Sequence, residues 1–355
     1  MKKLTYWHLA VLLVFIKIGC QYPVDKSILP TLKQFIVIDA ELTETYGKVN
    51  VTYSLTNVAS NGGYQFPTAP KATAYVLDSR GNKFIFTKTD GTQNAGFQGI
   101  VGETYRLFVE VDGKKYESKP ETMRACPALD SLSTPYRREN FRAESDLYYD
   151  GFDVYANLTD EANKENYYQW DWIHYERAPY CDNRFVSGDG RAVLIPCFPN
   201  DCWNIIYNSK TIVLSDKLRD GQPIAHRVVR IPYATPPNRY YIKVTQRAIT
   251  PSVFAYLQSL ETQTQNTGTL FDVPAQTRFS PNVYNVNNPE EQILGVFSVF
   301  SFRYKIAVID MVQKIDGAKP KVFLESTPYT SNIFLNAPCV ESALRTKIRP
   351  ENWVD

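Results

Sequence analysis

Strict alternation of apolar and polar residues is the feature of this sequence that most constrains its fold. In residues 103–118 every second position is apolar, up to an Asp-Gly pair at 112–113 that a further strand-like segment follows. Asp-Gly is a favoured two-residue turn of β-hairpins, and a period of two turns one face of a strand toward a core. The chain also carries 24 Tyr and 19 Phe, which favour strands. A mainly β fold is therefore predicted.

The same alternation occurs in three earlier segments, at residues 35–43, 48–56 and 72–89. Short strands at this spacing are typical of a small antiparallel sandwich. We therefore predict an Ig-like antiparallel β-sandwich over residues 35–120. Prolines interrupt the apolar–polar alternation after this predicted sandwich, and residues 121–131 are predicted to be a linker.

A larger β-rich domain is predicted for the rest of the chain, residues 132–355, because alternation returns in segments such as 165–177. One helix interrupts this pattern. Thr250 can cap it and Pro251 suits its first position, and apolar residues then follow helical spacing. The sequence predicts one inserted α-helix at about residues 251–265.

The first twenty residues have the features of a signal peptide for a lipoprotein. A basic start precedes the apolar run 9–16 and a small residue, Gly19. That run is too short to span a bilayer core, which needs about 20 residues. Cleavage after residue 19 would leave Cys20 to carry acyl chains such as palmitate, with residues 20–34 as a tether. The alternative is a secreted protein in which Cys20 forms a disulfide.

Three of the remaining five cysteines lie close together in the sequence: Cys181, Cys197 and Cys202. Disulfides persist in exported proteins, so one disulfide is predicted within this group, with the pair left open. Cys126 and Cys339 are left unassigned. Zinc is the alternative, but only His174 lies near the group and the spacing matches no zinc motif. No metal is predicted.

Charge excludes one class of partner. Lys and Arg number 39 and Asp and Glu 37, a net charge of +2, and the predicted signal peptide removes lysines only. The mature chain is then close to neutral, which excludes the basic excess of a nucleic-acid-binding protein.

Motifs for catalysis are also missing from the sequence. Only His174 and His226 follow the signal peptide, and there is no His-Glu-x-x-His pair, no Gly-x-Ser-x-Gly elbow and no Gly-rich phosphate loop. Asp182 and Asp189 do not have the spacing of a calcium loop, and the adjacent acids at 290–291 are interpreted as solvated loop residues. No enzymatic activity and no cofactor are predicted.

Aromatic residues on one predicted strand are the best candidates for a binding surface: Tyr168, Trp170 and Trp172. Aromatic faces can stack on sugars or anchor a protein partner. The alternative is that these residues fill a core, because a strand turns alternate side chains inward.

Several motifs resemble a family of Bacteroidota outer-membrane lipoproteins that contains a domain of unknown function. They are Gly-Thr-Leu-Phe-Asp at 268–272, Asn-Pro-Glu-Glu at 288–291, Leu-Gly-Val-Phe at 294–297, Cys-Trp at 202–203 and Pro-x-x-Trp at 350–353. Members often carry two cysteines near the end, whereas here only Cys339 is present, so the resemblance leaves its pairing open.

The resemblance implies a role but no catalytic residues. Members are commonly encoded beside TonB-dependent receptors. The expectation is a non-enzymatic accessory subunit of such a receptor, or of another outer-membrane β-barrel complex, held in the outer membrane by lipid at the cell surface. The alternative is a surface lipoprotein that captures a glycan or peptide for import.

Overall fold

The computed structural model describes residues 34–54, 70–94, 96–142, 147–178, 180–185, 192–198, 201–233, 239–265, 279–311, 315–320 and 337–354. The predicted signal peptide and lipid-carrying Cys20 lie outside these residues, as does the motif at 268–272. Within them, no helix is long and apolar enough to cross a membrane.

The N-terminal part is built from short strands: β1 (Ile36–Leu42), β2 (Gly47–Tyr53), β3 (Ala72–Asp78), β4 (Lys83–Phe86), β5 (Thr104–Val111), β6 (Lys114–Ser118) and β7 (Glu121–Thr122). The predicted hairpin is confirmed as β5 and β6. Its turn residues, Asp112 and Gly113, have φ angles of 50° and 77°, as a two-residue turn between twisted strands requires.

The remainder contains one described helix among strands: β8 (Ser131–Ser133), β9 (Tyr136–Arg142), β10 (Tyr148–Thr159), β11 (Tyr167–Arg177), β12 (Tyr180–Phe185), β13 (Ala192–Phe198), β14 (Trp203–Tyr207), β15 (Ile212–Ser215), β16 (Pro223–Pro232), β17 (Arg239–Ala248), α1 (Pro251–Gln265), β18 (Val283–Asn285), β19 (Phe297–Val299), β20 (Ser301–Asp310), β21 (Ala337–Pro338) and β22 (Arg345–Thr346). The predicted helix at 251–265 is confirmed. The predicted mainly β class is confirmed as well.

Two sheets enclose the first hydrophobic core. One has the order β18-β6-β5-β3-β4, with β7 beside β5, and the other has the order β19-β1-β2. Ile38, Leu42 and Leu107 have no exposed surface in this core. β19 runs parallel to β1, with Ala40 opposite Phe297, so this part of the fold is not wholly antiparallel.

The first core also uses residues that the sequence assigns to the larger domain. Val283, Phe297 and Val299, from β18 and β19, are buried in it. The boundaries at 120 and 132 stay a prediction, but the strands that complete the first core come from far along the chain.

A buried polar network joins α1 to these strands. The Glu121 carboxylate accepts hydrogen bonds from Ser252 Oγ and Asn282 Nδ2, each at 2.7 Å. The same amide of Asn282 donates to the Phe297 carbonyl at 2.7 Å. Since buried polar groups need partners, this network fixes the start of α1 against β7 and β19.

The second core lies between two further sheets. β10 pairs with β16, β8 and β9, and the other sheet has the order β20-β17-β11-β14-β22, with β15 also paired to β11. Val154 from β10, Trp170 from β11 and Ile242 from β17 are fully buried there.

Candidate functional site

The predicted aromatic binding surface is mostly core. Tyr168 and Trp170 have no exposed surface, and Trp172 is partly buried against the same core. Trp170 donates from Nε1 to Gln246 Oε1 at 3.1 Å, and its ring stacks on His226 with centroids 4.6 Å apart. The three residues share one face of β11, and that face is turned inward. The structure therefore removes Tyr168 and Trp170 from the candidate binding surface.

Both histidines of the described chain pack against other side chains. His174 is buried, its ring lies 3.7 Å from that of Tyr240, and its Nδ1 lies 2.6 Å from the Tyr241 carbonyl oxygen. Burial lowers the pKa of His226, which stacks on Trp170. The Nε2 atom of His174 lies 3.1 Å from Glu176 Oε1, so both ring nitrogens of His174 have partners within the fold.

The expectation of two solvated acids at 290–291 holds for Glu290, which is exposed, but is wrong for Glu291. Glu291 accepts a hydrogen bond from Lys114 Nζ at 2.9 Å and another from Asn285 Nδ2. These bonds lower the pKa of Glu291 against the opposing effect of burial. Glu291 therefore holds its loop against Lys114 at the start of β6.

The structure excludes some of the cysteine pairs that the prediction left open. Cys202 is bonded to Cys339, with Cα atoms 5.8 Å apart and 137 positions between them in sequence, so a bond from Cys202 within the group is wrong. Cys197 is also disulfide-bonded, and the side chain of Cys181 lies outside the described part of the chain. Because Cys197 and Cys202 are in disulfide bonds, neither offers the thiolate that a zinc ion would need.

Cys126 is the free cysteine of the described residues and it is buried. Burial raises the pKa of its thiol to about 11. Since the thiolate is the reactive form, Cys126 behaves as a core side chain.

The Cys202–Cys339 disulfide holds the C-terminal segment, residues 337–354, beside β14, at the edge of one of the two sheets around the second core. Trp203 of β14 lies opposite Thr346 of β22. The Trp353 ring lies 5.9 Å from Trp203 and also 5.9 Å from Tyr241. The Cys-Trp and Pro-x-x-Trp motifs of the sequence are therefore parts of one contact.

Apolar side chains on this segment point into solvent. Val340 is 64% exposed and Leu344 is 63% exposed. Both line a shallow groove with Ile205, and the rest of its lining is polar: Asn204, Ser342 and Arg345. Exposed Tyr207 lies beside them and donates from its hydroxyl to the Ala343 carbonyl at 3.0 Å. We name Ile205, Tyr207, Val340 and Leu344 the C-terminal apolar surface. Sequence reasoning missed it because Val340 and Leu344 follow no periodic pattern.

The C-terminal apolar surface is held in place on both sides. The Ile205 amide donates to the Leu344 carbonyl at 2.9 Å, and the Cys202–Cys339 bond fixes the start of the segment. Large apolar side chains on a fixed backbone lose little conformational freedom when they bind. Contiguous exposed apolar patches, rather than single exposed residues, are typical of contacts with another protein.

Replacing Cys202 and Cys339 together by alanine is expected to lower the free energy of unfolding by about 2–4 kcal/mol, because the bond closes a long loop. Urea unfolding under oxidising conditions measures the effect. Cys126→Ala is the control for loss of a buried sulfur without loss of a bond. Equal unfolding midpoints for the double variant and the wild type would show that the bond contributes nothing.

Comparison with known proteins gives a family but no function. No curated protein matches the chain. A family model described as a domain of unknown function, DUF4249, matches residues 22–306, well over half of the chain. The C-terminal segment lies beyond the matched residues. The chain therefore belongs to the DUF4249 family, a domain of unknown function.

Proposed function

We propose that this protein is a non-enzymatic outer-membrane lipoprotein, anchored through Cys20 at the cell surface, that serves as an accessory subunit of a TonB-dependent receptor or another outer-membrane β-barrel complex. The resemblance to Bacteroidota lipoproteins supports the location and the class of partner. The docking role is inferred from the C-terminal apolar surface.

The exposure of Val340 and Leu344 supports docking rather than packing within the chain. Each keeps more than half of its side chain in water, and each buried methylene would contribute about 0.8 kcal/mol on contact with a partner. Tyr207 adds an amphipathic ring, a side-chain type enriched at interfaces. A small apolar contact of this kind suits a subunit that a lipid anchor already confines to the same membrane, because tethering raises the local concentration.

Changing Leu344 to aspartate is expected to release the partner. A charge placed in an apolar contact must be desolvated, and the loss of a central contact side chain typically costs about 2 kcal/mol, more than tenfold in affinity. The measurement is quantitative mass spectrometry of the barrel protein that copurifies with the tagged chain from native membranes.

The matched control is Ile85→Asp. Ile85 is 61% exposed, close to Leu344, but lies on β4 in the first sandwich. The proposal expects normal recovery of the partner with Ile85→Asp and at least about a tenfold loss with Leu344→Asp. Equal recovery with both variants would place the contact elsewhere.

Capture of a glycan or peptide is the second candidate, and the structure gives it less support. It needs an exposed aromatic platform, and two of the three predicted residues, Tyr168 and Trp170, are buried. A saturable signal for the purified chain in a glycan and peptide screen, lost on changing Trp172 to alanine, would favour it.

A further inference from the structure

Three aspartates meet where β10, β15 and β16 end or begin. Asp160 directly follows β10, Asp216 directly follows β15, and Asp220 lies in the turn that leads to β16. Each offers a carboxylate oxygen, and the three oxygens lie within 4.8 Å of one another. Asp160 and Asp216 are buried and Asp220 is exposed, so the group is open to solvent on one side.

Hydrogen bonds from the backbone fix the three carboxylates. Asp160 Oδ2 accepts from the Gly221 amide at 2.9 Å, and Asp216 Oδ2 accepts from the Asn166 amide at 2.9 Å. Asp220 Oδ2 accepts from the Asn163 amide at 3.1 Å. Two loops, one after β10 and one after β15, therefore hold the group from opposite sides.

One oxygen of this group has no partner. Asp216 has no exposed surface, and its Oδ1 is buried without a hydrogen bond. Burial raises the pKa of Asp216, and the charge of Asp160, which contacts it, raises that pKa further. A buried acceptor without a donor costs free energy, and two adjacent buried carboxylates add repulsion.

No basic side chain offsets this charge. Among the described residues, no lysine or arginine forms an ion pair with Asp160, Asp216 or Asp220. Lys164, in the first loop, pairs with Glu161 at 2.6 Å instead. A proton held between Asp216 and Asp160 would relieve the repulsion of that pair, whereas a cation from solution would also engage Asp220.

We propose that Asp160, Asp216 and Asp220 bind one calcium ion. The donor set contains only oxygens, with no histidine or cysteine, which suits a hard cation. Calcium accepts irregular sets of oxygens from loops at about 2.3–2.6 Å, so oxygens within 4.8 Å of one another can share one ion. Water on the exposed side of Asp220 can fill the remaining positions.

Bound calcium would join two loops that the chain otherwise holds only by hydrogen bonds. Asp160 also accepts a hydrogen bond from the hydroxyl of fully buried Tyr168, so the site is connected to the second core. Calcium should therefore stabilise the fold. At about a hundred times its dissociation constant, it would raise the folding equilibrium constant about a hundredfold.

The test is calorimetric titration of the full chain, purified in detergent and freed of metal with EGTA, with calcium chloride through about 10⁻⁶ to 10⁻² M, the range of sensor and extracellular sites. We expect the titration to show saturable binding of one ion. Thermal unfolding of the same protein with bound calcium should show a rise in Tm of several degrees. Magnesium chloride at the same concentrations is the comparison. Absence of calcium binding, or binding of magnesium alone, would overturn the assignment.

Two asparagine variants distinguish a lost site from a damaged fold. Asp216→Asn should abolish the calcium-dependent rise in Tm while leaving Tm in EGTA equal or higher, because it removes one of two buried like charges. Asp220→Asn should weaken calcium binding at least about tenfold. The control is Asp310→Asn, an exposed aspartate of β20, which should bind calcium normally. Normal binding by Asp216→Asn would contradict the proposal.

Discussion

Changing Gly295 to alanine is expected to destabilise the protein by about 2–5 kcal/mol, as the sum of backbone strain and a steric clash. Gly295 has a φ of +94°, and a Cβ there would lie 2.3 Å from the Ile38 carbonyl oxygen. That oxygen belongs to the backbone of β1, so it can move only if the sheet moves. The measurement is the urea midpoint of purified protein.

Gly81→Ala is the matched control for this variant. Gly81 has a φ of +86°, and nothing lies within 4 Å of the position of its Cβ. It therefore carries the backbone strain alone, about 1–2 kcal/mol. The account requires Gly295→Ala to be clearly less stable than Gly81→Ala. Equal stability of the two would mean that β1 does not lie against Gly295.

Changing Trp170 to alanine is the second large effect, an expected loss of about 3–5 kcal/mol from removal of a fully buried aromatic side chain. The change also leaves Gln246 Oε1 without the indole donor and removes the ring that stacks on His226. Thermal unfolding, with urea unfolding as a second probe, measures it.

Trp172→Ala, on the same face of β11, is the comparison for Trp170→Ala. Trp172 is only partly buried, so its loss should cost less. The binding-surface hypothesis requires the opposite pattern for Trp170, a stable protein that has lost a ligand. A Trp170→Ala variant that unfolds like the wild type would therefore restore that hypothesis.

Local patterns in the sequence predicted the elements whose causes are local. The Asp-Gly turn at 112–113 and the alternation around it are sufficient to specify the hairpin, and Pro251 stands at the first position of the helix as predicted. The hydroxyl of Thr250, the predicted cap, lies 3.1 Å from the Ser252 hydroxyl instead of accepting from a backbone amide. In each case the deciding contacts lie within a few residues, so the sequence shows them directly.

Contacts between distant segments could not be predicted in the same way. Alternation shows that Trp170 shares a face with Trp172, but not whether that face meets a core or solvent. The partner of Cys202 lies 137 positions away. β19 (Phe297–Val299) pairs with β1 (Ile36–Leu42), although the two strands are far apart in the sequence. The group of Asp160, Asp216 and Asp220 also needs the ends of three strands to be placed together. The turn-forming pair at 220–221 was its one local signal.

The motifs noted in the sequence form contacts between distant segments. Gly295 lets a strand lie on the backbone of β1. Glu291 ties the preceding loop to Lys114. Trp203 and Trp353 pack together, with ring centroids 5.9 Å apart. These residues therefore hold distant parts of the chain in contact.

The most direct test of the accessory role is the size and composition of the complex that the protein forms in its own membrane. Tagged protein is extracted in mild detergent, separated by size and analysed by quantitative mass spectrometry. The account predicts one β-barrel protein in a fixed ratio to the chain. A chain that migrates alone, with no barrel protein enriched, would contradict the accessory role and favour independent ligand capture.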